Sequence, residues 1–369
     1  MTVAAIISFL VILTVLVFVH EMGHYWIARR NGVRVEVFSI GFGPELFGWE
    51  DEAKTRWKIC AIPLGGYVKM FGDSDAASTK SSESISFTPQ EISMSFHHKR
   101  LSQRAAIVSA GPAANFLFAI ILLTMLYSMV GQRYAAPIID SLVAGSAADQ
   151  AGLMVGDKIV SVDDVNISKF DELKRIVAPN PNKKMSFIIL RDNKKLAFDV
   201  MPRLVERKDA SGAIIRIGLL GVGSEKTSII RHNPIAAFRI AVQETWSTTL
   251  QTVEYLGQMI AGSRSAEELG GPIRIAKISG AVTELGLAST LYFMAVLSIN
   301  LGLINLFPIP ILDGGHLFFY FLEFIRGRPL GAKAHEIASV AGLGVVIALM
   351  VFVTLNDIWP NFWSGSGFS

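Results

Sequence analysis

A single cysteine, Cys60, stands in 369 residues. No intramolecular disulfide framework can therefore hold any part of this chain, whatever compartment it faces. Charge is scarce as well: Asp, Glu, Lys and Arg make up 18% of the residues, against roughly 25% in a soluble globular average. The first apolar run, residues 3–19, has no basic residue before it and no small-residue cleavage site after it, so it reads as a retained helix and not a secretory signal. Also missing are a Walker loop, a dinucleotide fingerprint and a basic surface interleaved with aromatics. Nothing in the sequence points to nucleotide-driven chemistry, and no nucleic acid is expected among the partners.

What the chain does have is long apolar stretches, in keeping with a hydrophobic share of 51%. About 20 mainly apolar residues are needed to cross the hydrocarbon core, and four segments meet that length: 3–28, 105–130, 287–307 and 337–355. A fifth, 234–260, carries Arg239, Gln243, Glu244, Gln251 and Glu254 and reads as an amphipathic helix near the interface. Basic residues cluster after the first segment (Arg29, Arg30, Arg34), before the second (Lys99, Arg100, Arg104) and between the third and fourth (Arg326, Arg328, Lys333). The positive-inside rule then puts 29–104 and 326–336 inside, and both termini and 131–286 outside.

The expected organisation is an N-terminal membrane half (1–130), an outer module (131–206), a connecting region with the amphipathic helix (207–286) and a C-terminal membrane half (287–369). Val33, Val35 and Val37 alternate with polar neighbours, and 57–70 is a second β-rich run. Glycines 41, 43, 65 and 66 punctuate the two, so a short antiparallel sheet at the membrane face is expected. Residues 73–91 are rich in Ser, Thr and Asp and read as a linker. In the module, the stretch 146–163 places a short helix, a Gly156-Asp157 turn and a strand in succession, resembling the core of a PDZ domain. A second helix is expected over 170–177, and strands at 185–191 and 196–202 around Asp192-Asn193.

The chemistry concentrates in His20-Glu21-Met22-Gly23-His24, at the end of the first apolar segment. On a helix, residues i and i+4 share a face, so His20 and His24 can offer imidazoles to one metal, for which zinc fits best. Glu21 can then reach water beside it as a general base. Ionisable groups at membrane depth cost on the order of 2–3 kcal/mol each and usually face the interior of a bundle, which favours function over chance for this five-residue pattern. A catalytic zinc needs a third protein ligand, and the strongest candidate is Asp313, in the string 305–316 that reads Asn-Leu-Phe-Pro-Ile-Pro-Ile-Leu-Asp-Gly-Gly-His. Pro308 and Pro310 interrupt the helix there, and irregular backbone at that depth is tolerated only where it is buried in protein or lines a cavity.

These strings together resemble the site-2 protease family of intramembrane zinc metalloproteases, in the bacterial branch of the regulator of sigma-E protease. Gly41-Phe-Gly-Pro44, Pro63-Leu-Gly-Gly-Tyr-Val68 and Gly111-Pro-Ala-Ala-Asn115 are family-like too, so the resemblance spans nearly the whole chain. It implies a polytopic α-helical membrane protein with four transmembrane helices, a small membrane-associated β element and one inserted periplasmic PDZ (α+β) domain, where the best-known member has two. It implies His20, His24 and Asp313 as zinc ligands, Glu21 as base, and Asn300 and Asn305 as groups that help hold substrate backbone. The strand around Gly65, Gly66 and Tyr67 is expected to accept an unwound substrate as an added strand. The implied partners are membrane lipid and single-span membrane proteins, such as anti-sigma factors or leftover signal peptides, with the PDZ module contacting the substrate's outer domain. The implied location is the bacterial inner membrane, with periplasmic termini. Two other classes fit parts of the pattern, a membrane metal transporter and an inactive adaptor that keeps the PDZ module. The base Glu21 is required by neither.

Overall fold

The computed structural model describes residues 2–72, 88–208, 214–224, 227–262, 270–328 and 331–358, which divide into two compact units. The first unit comprises 1–126, 236–253 and 266–369, and the second 127–235 and 254–265. The chain starts with α1 (Val3–Arg30), whose first turn is capped by the Thr2 hydroxyl accepting from the Ala5 N–H. It then forms β1 (Val35–Glu50) and β2 (Arg56–Met70). β2 matches the second β-rich run, whereas β1 continues well past the alternating valines. Gly41 and Gly43 adopt φ of +87° and +86°, a region open to glycine, and the strand bends there without ending.

That bend lets Phe38–Ile40 face two segments at once, 66–68 on one side and 57–59 on the other. Residues 66–69 have strand partners on one side only among the described residues, so they form the open edge of the sheet. The sheet is fastened to α1 by aromatic packing. Phe38 stacks on Trp57 with centroids 4.4 Å apart, and Tyr25 and Phe18 of α1 meet Phe38 edge-on. Val35, Val68, Met70, Phe96 and Ile107 complete this core.

Next come α2 (Pro89–Met94), a short 3-10 turn (Phe96–His98) and α3 (Leu101–Met129). The expected linker 73–91 is only partly assessable, since 73–87 lie outside the described residues. Residues 89–91 are helical instead, because Thr88 and Glu91 form a reciprocal capping box and Pro89 is pre-set for the first turn.

The second unit holds β3 (Gln132–Ala135), β4 (Ser141–Leu142), α4 (Ala147–Gln150), β5 (Lys158–Val162), β6 (Val165–Asn166), α5 (Phe170–Val177), β7 (Met185–Arg191), β8 (Lys194–Val200), β9 (Arg203–Lys208), β10 (Ile214–Leu219), β11 (Val222–Gly223) and β12 (Thr227–Ile230). Its main sheet has the order β6-β5-β7-β8 and closes over a core of Ile139, Leu153, Ile159, Leu173, Phe187 and Ile189. Asp192 and Asn193 turn the β7–β8 hairpin with φ of 48° and 62°. Asp157 is buried, and Arg191 grips its two oxygens at 2.7 Å each. Burial alone would raise the Asp157 carboxyl, but the Arg191 hydrogen bonds and charge and the Met154 N–H outweigh it and hold the group below the usual carboxylate range.

α6 (Pro234–Ile260), whose residues 236–253 belong to the first unit, occupies the stretch read as an amphipathic helix and buries Ala237, Ala241 and Thr245 at helical spacing. It is followed by α7 (Pro272–Glu284), α8 (Leu287–Asn305), α9 (Asp313–Arg326) and α10 (Ala332–Ile358). α7 has no counterpart in the sequence reading. It packs Gly280 against Ala5 of α1, and Asp357 of α10 accepts from the Gly271 and Arg274 N–H groups at its start, both at 2.9 Å. Four helices are long and apolar enough to cross a membrane: Val3–Arg30, Leu101–Met129, Leu287–Asn305 and Glu336–Ile358. They correspond to the four segments expected from composition.

Candidate metal centre

His20 and His24 sit one turn apart on α1 and are both buried. Room for their rings is made by α3. A Cβ on Gly111 would collide with both imidazoles, and one on Gly23 would strike the Ala110 carbonyl. The two glycines let α1 and α3 cross closely enough for α3 backbone to reach the rings. His24 Nδ1–H donates to the Ile107 carbonyl at 2.9 Å, which leaves the Nε2 lone pair facing the cluster. The Asn115 side-chain amide, wholly buried on α3, lies 3.1 Å from His20 Nδ1. Its nitrogen faces the ring and its Oδ1 has no partner among the described residues. Turning the amide by 180° presents Oδ1 as acceptor for His20 Nδ1–H, the tautomer in which Nε2 is free to bind a metal.

Asp313 reaches the same spot from 293 residues along the chain. After α8 the chain turns through Leu306–Leu312, where Pro308 and Pro310 forbid a continued helix. Cβ atoms on Gly314 and Gly315 would clash with backbone at Leu306 and Ile309, so only glycine lets the start of α9 fold back on this loop. Ile311, a β-branched residue, is held at φ of +99°, a strained geometry that costs of order 1–3 kcal/mol. Strain at that point, two residues before a converging carboxylate, is imposed by the loop that places Asp313.

The three ligand atoms form a nearly regular triangle. His20 Nε2 and His24 Nε2 are 3.2 Å apart, and Asp313 Oδ2 lies 3.1 Å from the first and 3.5 Å from the second. For zinc held tetrahedrally at about 2.0–2.1 Å, neighbouring ligand atoms stand about 3.3–3.4 Å apart. Oδ2 is buried and makes no well-aligned hydrogen bond among the described residues. Three inward-facing lone pairs with one orphaned oxygen fit a cation, and among the described residues this is the one group of three or more such side chains that could hold a metal.

The centre opens on a cavity of about 280 Å³ whose wall includes Glu21, Gly65, Gly66, Tyr67, Val68, Asn305, Leu312 and His316. The edge strand of the sheet therefore runs along one side of the metal group. Gly66 permits that approach, because a Cβ there would press on Val17 and Glu21. Of the residues singled out in the sequence, His20, Glu21, His24, Asp313, Gly65, Gly66, Tyr67 and Asn305 all meet at this cavity. Asn300 does not; it lies on α8 and accepts from the Thr252 hydroxyl of α6 at 3.3 Å. Asn115, the Ile107 carbonyl and Gly111 were not singled out for the centre. The signal for Gly111 and Asn115 is the Gly-Pro-Ala-Ala-Asn string opening the second apolar segment, which gives no distance to the histidines, and nothing in the sequence marks Ile107.

The chain matches the model of peptidase family M50 over residues 8–349. It is 43% identical over 356 residues to a protein of Rhizobium meliloti (strain 1021) named as a "putative zinc metalloprotease", covering 95% of each chain. A protein of Agrobacterium fabrum (strain C58) with the same designation is 42% identical, over 96% of this chain and 95% of its own. Metalloprotease MmpA of Caulobacter vibrioides is 35% identical over 377 residues, covering 96% of this chain and 95% of its own.

Proposed function

Because the chain belongs to peptidase family M50, the site-2 protease family of zinc metalloproteases, and carries four helices able to cross a membrane, we propose that it hydrolyses peptide bonds within or beside the spans of single-span membrane proteins. The observation that carries this reading is the triangle of His20, His24 and Asp313 facing a cavity walled by Glu21 and by an open strand edge. His20, His24 and Asp313 would hold zinc, which would supply a Lewis acid to polarise a carbonyl and lower the pKa of a water towards about 7. Glu21, one helical step from His20, takes the proton of the attacking water and passes it to the leaving amine. A helical substrate shields its own carbonyls, so it must unwind first. Residues 66–68, with strand partners on one side only among the described residues, offer an edge to replace the hydrogen bonds so lost. Asn305, in the wall of the same cavity, is read as holding substrate backbone or the developing oxyanion.

The second unit, with its helix–turn–strand order around Gly156-Asp157, is read as a PDZ-like domain that contacts the outer part of the substrate. Anti-sigma-type regulators already trimmed by another protease, and leftover signal peptides, fit as substrates. The bacterial inner membrane fits as location, with 29–104 cytoplasmic and both termini periplasmic. Metal transport requires no base and no strand edge, and an inactive adaptor does not require Glu21.

The test uses the purified protein in lipid vesicles with a labelled single-span helical substrate. Cleavage in or next to the span, lost on zinc chelation and regained on adding zinc back, supports the proposal. Metal flux across the vesicle without cleavage contradicts it.

A further inference from the structure

A second cavity, of about 530 Å³, lies between the start of α3 and the second half of α9. Leu101, Ala105, Leu317, Phe321 and Phe324 make its walls almost wholly apolar. Phe321 and Phe324 are 57% and 75% exposed, so the groove is open on its outer side. The two helices run antiparallel. Asp313, at the start of α9, meets His24, whose ring bonds Ile107 of α3, whereas Glu323, near the end of α9, pairs with Arg104 at 2.6 Å. The C-terminus of α9 therefore reaches the same level as the N-terminus of α3. Four cations gather at that end: Lys99 and Arg100 just before α3, and Arg326 and Arg328 where α9 stops. None of the four pairs with an acidic group among the described residues, while Arg104 is occupied by Glu323 and by the Tyr320 ring, 4.9 Å away.

An open apolar groove with an unpaired cationic collar at one end, on a chain with four membrane-length helices, has the shape of an amphiphile with an anionic head. We propose that this groove is a binding site for one anionic phospholipid, an acyl chain lying along Ala105, Leu317 and Phe321 and the phosphate held by Arg100 and Arg326. A zwitterionic lipid brings a choline cation into the same collar and is disfavoured. The proposal rests on the groove and the collar and not on the protease reading. A lipid seated there would also brace α9, the helix that begins with Asp313.

The experiment is native mass spectrometry of the purified full chain, offered equimolar phosphatidylglycerol and phosphatidylcholine with identical acyl chains. One phosphatidylglycerol retained in preference is the expected result. Basic residues near a lipid surface are worth about fivefold each, so Arg100→Ala with Arg326→Ala should lower that retention roughly 30-fold. Ala105→Trp, which fills the groove and leaves the charges in place, should abolish it. Equal retention of both lipids, retention unchanged in the double variant, or displacement by soluble glycerol phosphate would overturn the proposal. The double variant alters exposed side chains only, so the result stands even if Ala105→Trp does not fold.

Discussion

At the residue scale, the centre depends on groups that do not touch the metal. His20 and His24 are fixed through their Nδ1 atoms, one by Asn115 and the other by the Ile107 carbonyl. Replacing such a supporting partner commonly weakens metal binding about 10–100-fold. Asn115→Ala is therefore expected to weaken zinc affinity by that factor while zinc still binds at one equivalent, as measured by competition against a chromophoric chelator; unchanged affinity would remove Asn115 from the centre. Gly111→Ala is expected to be harsher, with zinc content falling to near zero in a protein of unchanged helicity, because the new methyl would occupy the space of both imidazoles. His20, Glu21, His24 and Asp313 were legible in the sequence because a helical i, i+4 spacing and a proline-broken Leu-Asp-Gly string each carry their chemistry locally. Asn115 was not, since its role exists only where α1 and α3 cross, 95 residues apart in the chain.

At the element scale, helices were read more accurately than strands. Long apolar runs need no partner to be recognised, and α6 occupies the same residues as the amphipathic stretch in the sequence. α7 was missed because it is 13 residues long and carries Arg274 and Lys277, too short and too polar to stand out. β1 outruns its alternating valines because glycine punctuates the sequence pattern there, whereas in the fold Gly41 and Gly43 carry the strand round a bend. That bend leaves 66–68 as an edge. Tyr67→Pro, which removes one strand donor and stiffens the edge, is expected to slow cleavage about fivefold or more for each substrate hydrogen bond lost, with zinc content intact; unimpaired cleavage would rule out strand addition.

In the second unit, the Asp157–Arg191 pair ties the turn before β5 to the end of β7. Asp157 has a folded-state pKa below its unfolded value of about 3.9, so its stabilisation is complete above that value and is lost as pH falls through the lower folded value. Asp157→Ala should cost about 3 kcal/mol, the low end for a broken buried pair because Arg191 keeps some contact with water. It should also flatten the acid limb of a stability-against-pH curve. A full-sized acid limb in the variant would assign it to other carboxylates.

At the scale of the whole molecule, the four membrane-length helices follow from composition and hydropathy alone, whereas the outer module rests on the helix–turn–strand string at 146–163, which does not extend to the strands after 206 that the second unit includes. The sequence could not specify how the ends of the chain meet, because Asp313 is brought to α1 by Pro308, Pro310 and two glycines acting within a folded bundle. The central claim is that this meeting makes one zinc centre whose base is Glu21. The most direct measurement is zinc stoichiometry and cleavage of a helical single-span substrate, taken together on purified Glu21→Gln. The account predicts one zinc per chain, as in the unaltered protein, with cleavage lost by several orders of magnitude; a Glu21→Gln protein that holds its zinc and cleaves at the original rate would contradict it.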